Sequence, residues 1–257
     1  MEGIRFIFWE VMKALSLAFL ALLSAKAVAG LQPGTSPFLR RWLRTVKAAL
    51  FTVILILAVL GAWIVGHNLA AEVYYLTSQS NLENGQYQKA YVNAVRAVQM
   101  QPGVLRYWRP LAASKVDFSQ FQSLLDDLPA FQALSGGQLD EQDAYRFATC
   151  YFFLGQYEQA LTITQRVIAN NPEFAGPYVL QGMAYITLKK YPEAEQSFLT
   201  LLRVVPSHEV AVEELAHTYY LAGERAHALA ILDEAATRPF TSEARKRFEA
   251  LKGLYGQ

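Results

Sequence analysis

Three sets of residues recur at a spacing of thirty-four: Tyr151, Tyr185 and Tyr219; Ala160, Ala194 and Ala228; and the small residues Ala148, Gly182 and Ala216. A fixed period of this length is the mark of one supersecondary unit used repeatedly, and stacked helical hairpins give it. One hairpin cannot bury its own apolar face, so each must lean on the next. The fold class expected is all-α, a helical solenoid; a helical bundle without repeats would not keep several positions in register together.

The units read residue by residue. The fullest copy carries Tyr178, Gly182, Tyr185, Tyr191, Ala194, Phe198 and Pro206. The copy before it has Phe147, Ala148, Tyr151, Gly155, Tyr157, Ala160 and Pro172, and the copy after it Leu215, Ala216, Tyr219, Gly223, Ala228, Leu232 and Ala235. An earlier copy has Tyr74, Ser78, Gly85, Tyr87, Ala90, Ala97 and Pro102. The small residues let two helices approach closely. Gly85, Gly155 and Gly223 stand where a helix must end and turn. Pro102, Pro172 and Pro206 stop the second helix of their units.

These positions resemble the tetratricopeptide-repeat (TPR) pattern over roughly residues 70–240. The resemblance implies two antiparallel helices per repeat, with boundaries near 71–104, 105–140, 141–174, 175–208 and 209–240. The second unit is degenerate: only Trp108, Leu111 and Ala112 match, and Ser119-Gln120-Phe121 replaces Gly-x-Tyr. Its spacing to the next copy is thirty-six, with Ser135-Gly136-Gly137 as the loop that absorbs the excess. It reads as an irregular hairpin that still stacks, or as a break in the solenoid. Residues 241–257 read as a capping helix, N-capped by Thr241 or Ser242, with Phe248, Leu251 and Leu254 on one stripe.

A second feature precedes the repeats. Ala48 to Ala71 contains no Asp, Glu, Lys or Arg. That is long enough to cross a bilayer as a helix, which needs about 20 apolar residues. The span is placed at 48–70, with Trp42 and Trp63 near its ends. Arg40, Arg41, Arg44 and Lys47 precede it, in a basic loop over 31–47 marked by Pro33, Gly34 and Pro37. Basic flanks stay cytoplasmic, so the repeats are expected outside the cytoplasm, in the periplasm beside a bacterial inner membrane. The charge split agrees: residues 1–66 hold seven basic and two acidic groups, net +5, and the remainder is net −4. Residues 1–30 form an apolar N-terminal segment with three readings. It is a cleaved signal peptide ending at Ala27-Val28-Ala29, a first transmembrane helix, or a helix lying in the interface or packed on another membrane protein. The span is also short of any flexible linker to the repeats and is expected to run straight into the first repeat helix.

Signatures of chemistry are missing. One cysteine, Cys150, excludes an internal disulfide and a thiolate-pair zinc site. Glu213 and His217 share a helix face, but HExxH, a phosphate loop, GxSxG and the dinucleotide fingerprint do not occur. The repeat region lacks a basic nucleic-acid footprint. The reading is therefore no enzyme, no cofactor, no nucleic acid and no small-molecule substrate.

The resemblance places the first helix of each hairpin on a concave inner side. Carried over by position, that side holds Tyr75 and Gln79; Arg106 and Arg109; Tyr145, Thr149 and Phe152; Val179, Met183 and Ile186; and Glu213, His217 and Tyr220. The row is apolar and aromatic in its middle, with a basic pair toward the membrane end. Aromatics, Met and Arg are enriched at interfaces. The carboxylate clamp of co-chaperone relatives is not matched, since Tyr145 and Thr149 stand at the corresponding positions. An extended or helical segment of another protein is the expected ligand. The function implied is a membrane-anchored scaffold mediating protein–protein interaction in a cell-envelope complex. The alternative is a constitutive accessory subunit of a large membrane complex, energy-converting or exporting, with other subunits and the lipid bilayer as its partners.

Overall fold

The computed structural model describes Lys13 and residues 37–256. The expected helix over 1–30 and the first part of the 31–47 stretch lie outside the described residues. The chain divides into two compact units, Met1–Ala70 and Ala71–Gln257. Among the described residues every regular element is an α-helix.

Helix α1 spans Pro37–Glu83. The basic stretch expected as a loop is thus helical from residue 37 onward. Pro37 opens the helix, where its missing N–H costs nothing, and the Arg, Leu, Lys and Ala that follow are good helix formers. Ala48–Glu83 is long and apolar enough to cross a membrane by length and composition, with a mean hydropathy of 2.7 in its most apolar window and none of that window buried. Phe51, Leu55, Ile56, Val59 and Trp63 are all exposed.

The second unit is a stack of hairpins. The end of α1, from Ala71, pairs with α2 (Tyr87–Met100). Then α3 (Leu105–Asp117) is followed by two short helices, α4 (Phe121–Asp126) and α5 (Leu128–Leu134). Helices α6 (Glu141–Phe153) and α7 (Tyr157–Asn170) make the third hairpin, and α8 (Ala175–Thr187) and α9 (Tyr191–Val204) the fourth. Helices α10 (Glu209–Leu221) and α11 (Arg225–Ala236) make the fifth, and α12 (Ser242–Tyr255) closes the chain. Each second helix packs on the first helix of the following hairpin as well as on its own partner.

All five hairpin turns are closed in the same way. Gly85, Ser119, Gly155, Lys189 and Gly223 have φ between 55° and 83°. The N–H of the next residue reaches back five positions: Gln86 to Asn81, Gln120 to Lys115, Gln156 to Tyr151, Lys190 to Tyr185 and Glu224 to Tyr219, each at 2.8 Å. This is the Schellman closure, which satisfies a carbonyl otherwise orphaned at a helix end. The recurring tyrosines therefore hold one structural position, the third residue from the end of each first helix.

The small and large sets meet in the seams. Ala160, Ala194 and Ala228 are buried, as are Ala148 and Ala216. Gly182 leaves room for the ring of Phe198, and a methyl group on it would lie 2.3 Å from Cζ of that ring. The other two hairpins carry Ala where this one has Gly, and Thr164 and Leu232 where it has Phe. The smallest residue of one row thus faces the largest of the other.

The degenerate unit does stack. Its second helix is split because Pro129 cannot continue a helix. Leu124 and Phe131, one on each fragment, are nonetheless fully buried. Lys115 occupies the tyrosine position and is itself buried; its ammonium donates to Asp127 Oδ2 at 2.5 Å and to the Ser123 carbonyl at 3.0 Å. At the far end α12 is N-capped by Thr241, whose Oγ1 accepts the Ala244 N–H at 3.1 Å. Phe248 and Leu251 face the stack as expected. Leu254 does not; it is 58% exposed, and Tyr255 is buried in its place.

Candidate functional site

A helix advances about 100° per residue, so Tyr75, Arg109, Tyr145, Val179 and Glu213 mark one line across five stacked first helices. The structure engages the two ends of this line and leaves its middle less occupied.

At the N-terminal end the expected basic pair is neutralised. The Arg106 guanidinium pairs with Glu72 and lies over the rings of Tyr75 and Tyr107, at 5.5 and 5.1 Å. Tyr107 Oη donates to the same carboxylate at 2.7 Å. Arg109 donates to Asp143 Oδ2 at 3.0 Å and also pairs with Asp140. Asp143, with 1% of its side chain exposed, takes a second cation from Arg146 at 2.8 Å. A carboxylate removed from water in this way needs both partners. The two arginines therefore act as interhelix clasps. Reversing their charge would strike the seams before it struck any ligand. Gln79, on the same row, is exposed.

At the C-terminal end α12 takes up the row. Arg247, thirty-four residues beyond Glu213, donates to Glu213 Oε1 at 2.7 Å and to Glu209 Oε2 at 2.9 Å. Hydrogen bonds from Thr241 and Arg247 hold the Glu209 carboxyl below its ordinary range. Tyr255 stacks on Tyr220 at 4.4 Å, and its hydroxyl lies 3.2 Å from His217 Nδ1. Glu213, His217 and Tyr220 are thus contacts of the capping helix. Burial raises the neighbouring Glu214 carboxyl.

The middle is apolar and half-buried: Thr149, Phe152, Val179, Met183 and Ile186. Tyr145 belongs more to the seam, since its ring packs on Phe174 at 5.1 Å and against the backbone at Gly176. Phe152 meets Phe153 and Tyr157 edge-on, and Phe153, 56% exposed, stacks on Phe121 at 4.6 Å. Val179 and Ile186 lean on the core of the fourth hairpin. This stretch presents apolar side chains without converging titratable groups. Among the described residues no cluster of three or more His, Cys, Asp or Glu could hold a metal ion. Cys150 is fully buried and its thiol is pushed up to about 12 by that burial.

Sequence reasoning missed the acidic partners of the arginines. The signal was present: Glu72 and Arg106, Arg109 and Asp143, and Glu213 and Arg247 are each separated by one repeat length of thirty-four.

Likenesses to known proteins bear on the same unit. A family model described as anaphase-promoting complex, cyclosome, subunit 3 matches residues 132–201. Comparison with curated protein sequences finds no match. Among solved structures, a thermophilic TPR protein from Thermus thermophilus is 20% identical, with a TM-score of 0.56 over 70% of this chain and 98% of that one. The pilF protein of Pseudomonas aeruginosa is 18% identical, with a TM-score of 0.56 over 74% of this chain and 90% of that one. YrrB, described as a TPR protein with an unusual peptide-binding site, is 19% identical, with a TM-score of 0.51 over 63% of this chain and 82% of that one. With its repeated hairpins, common turn closure and these likenesses, the unit Ala71–Gln257 has the fold of the tetratricopeptide-repeat solenoids it resembles.

Proposed function

We propose that this chain is a non-enzymatic, membrane-anchored scaffold that holds partner proteins along the middle of its first-helix row. It serves in a cell-envelope complex of a bacterial inner membrane, with the repeats on the periplasmic side. The observation that carries the reading is the apolar strip from Thr149 and Phe152 to Val179, Met183 and Ile186. It lies between two ends already occupied by ion pairs and by α12. Solenoid surfaces of this kind bind extended or helical segments of other proteins, and YrrB is described as peptide-binding. The anchor rests on the exposed apolar face of α1, and the orientation on the basic residues before it and their scarcity after it.

A photoreactive amino acid at Met183 or Ile186 is expected to give discrete protein adducts in intact cells, and one at the exposed Gln159 or Thr162 of α7 none. Equal patterns from all four positions would refute the assignment of the row. For the anchor, the chain should resist alkaline carbonate extraction. For orientation, Gln159→Cys is expected to react with a membrane-impermeant maleimide once the outer membrane is permeabilised. Cys150, buried and fully protonated, gives a silent background. Protection of the introduced cysteine would reverse the orientation.

A further inference from the structure

The fourth hairpin breaks the apolar register of the stack at two rows. One row is held in the second, third and fifth hairpins by Leu111, Phe147 and Leu215, all buried; here it is Gln181, half-buried. The other is Ile163 and Ile231 in the neighbouring second helices; here it is Ser197. The two replacements meet each other: the Ser197 hydroxyl is shared between the Glu193 carbonyl at 2.9 Å and Gln181 Oε1 at 3.1 Å. Beside Ser197 lies a cleft of about 290 Å³ between α8 and α9, with Ile168 of α7 as a third wall. Its floor is Tyr178, Gln181 and Tyr185, and Glu193, Gln196 and Ser197 form its α9 side. On α8 these floor residues lie roughly opposite Val179, Met183 and Ile186, so the cleft is separate from the first-helix row.

Its polar groups are incompletely used. Gln181 meets Ser197 through its carbonyl oxygen, and its amide donors have no partner among the described residues. Glu193, at an exposed position, makes no ion pair among the described residues. Tyr178 ties its hydroxyl to the Pro172 carbonyl at 3.2 Å, leaving its ring to line the cleft beside that of Tyr185. One uncompensated carboxylate, two tyrosine rings and free amide donors complement a cationic side chain next to a peptide carbonyl.

We propose that this cleft binds an extended segment of a partner protein through one of its arginine or lysine side chains, with Glu193 taking the charge and Gln181 the adjacent main-chain carbonyl. This deepens the scaffold reading by adding a second contact outside the first-helix row.

The test uses the full chain in mild detergent and saturation-transfer NMR. The probes are an acetylated, amidated pentapeptide with arginine between two pairs of alanines, its glutamine counterpart, and spermidine as a free polyamine. Transfer to the arginine side chain is expected, weaker transfer to the other two, and an affinity about fivefold lower with Glu193→Gln. Gln181→Leu with Ser197→Ile installs the residues of the adjoining hairpins, and should keep the helix content while abolishing transfer. Should that pair fail to fold, Glu193→Gln, at an exposed position, still decides. Equal transfer to the glutamine peptide, a stronger response to spermidine, or an unchanged affinity in Glu193→Gln would overturn the proposal. Adducts from Met183 and Ile186 do not depend on the cleft. Their presence with a silent pentapeptide would sink this inference alone, and their absence the scaffold row.

Discussion

Gly182→Ala tests whether the seams or the helices set the stability of the repeats. The added methyl would lie 2.3 Å from Phe198 Cζ and 2.6 Å from both Cε atoms. Ordinary carbon contacts are about 3.5–4.0 Å, so the ring would have to retreat by more than an ångström. It has nowhere to go, because Phe198 is fully buried. Overpacking of this kind costs about 1–3 kcal/mol, and the closeness and rigidity of a ring place this case at the upper end. Helix propensity acts the other way, favouring Ala over Gly by about 1 kcal/mol. The expected net loss is about 2 kcal/mol, or roughly 4–8 °C in Tm at this size. Phe198→Leu alone should cost about 1 kcal/mol. The double variant reproduces the Ala216 and Leu232 pair of the fifth hairpin, and should recover most of the loss. Urea unfolding followed by helical circular dichroism gives all four corners of the cycle. A Gly182→Ala protein as stable as the parent, or additive losses in the double variant, would refute the argument from packing.

Other expectations follow from the turns, caps and clasps. Lys189 holds φ 58° where three other turns have glycine; Lys189→Gly should stabilise by about 0.5–1 kcal/mol, and Gly155→Ala destabilise by a similar amount, in the same unfolding assay. His208 caps α10 by accepting the Ala211 N–H on Nδ1 at 3.1 Å, and burial lowers its pKa. Its contribution is therefore complete above the unfolded value of about 6.5 and is lost as pH falls from there through the folded value, whereas His208→Ser should cap without that pH dependence in parallel melts. Asp143→Ala leaves Arg146 unpaired and Arg109 with Asp140 only, and should cost about 1–3 kcal/mol in the urea midpoint. The depressed Glu209 carboxyl means that the docking of α12 persists above the unfolded pKa and weakens as pH falls through the folded one, read as faster hydrogen exchange over residues 242–255.

Much of the fold could be read from residue types with a single conformational use. Gly85, Gly155 and Gly223 marked turns because left-handed backbone favours glycine, and Pro102, Pro172 and Pro206 marked helix ends. The same turn at Ser119 and Lys189 carried no such mark. There the closure by Gln120 and Lys190 imposes the geometry, and tertiary packing supports the strain. Lys115 could not be recognised as the tyrosine equivalent until Asp127 was seen beside it. The row of candidate residues was chosen without sight of the contacts that occupy its two ends. Arg106 and Arg109 looked like a free basic pair because their carboxylates lie a full repeat away or across a loop, and the cleft at Gln181 and Ser197 needs three helices to exist.

The fit of Gly182 to Phe198 also limits how such a chain can be shortened or lengthened. A junction made at the turns near Gly155 or Lys189 would marry an alanine-bearing first helix to a phenylalanine-bearing second one, and jam the seam. A junction near Pro102, Pro172 or Pro206 moves both members together. Insertions and deletions that survive in this protein should therefore begin and end beside the prolines, with the two-helix module inherited whole.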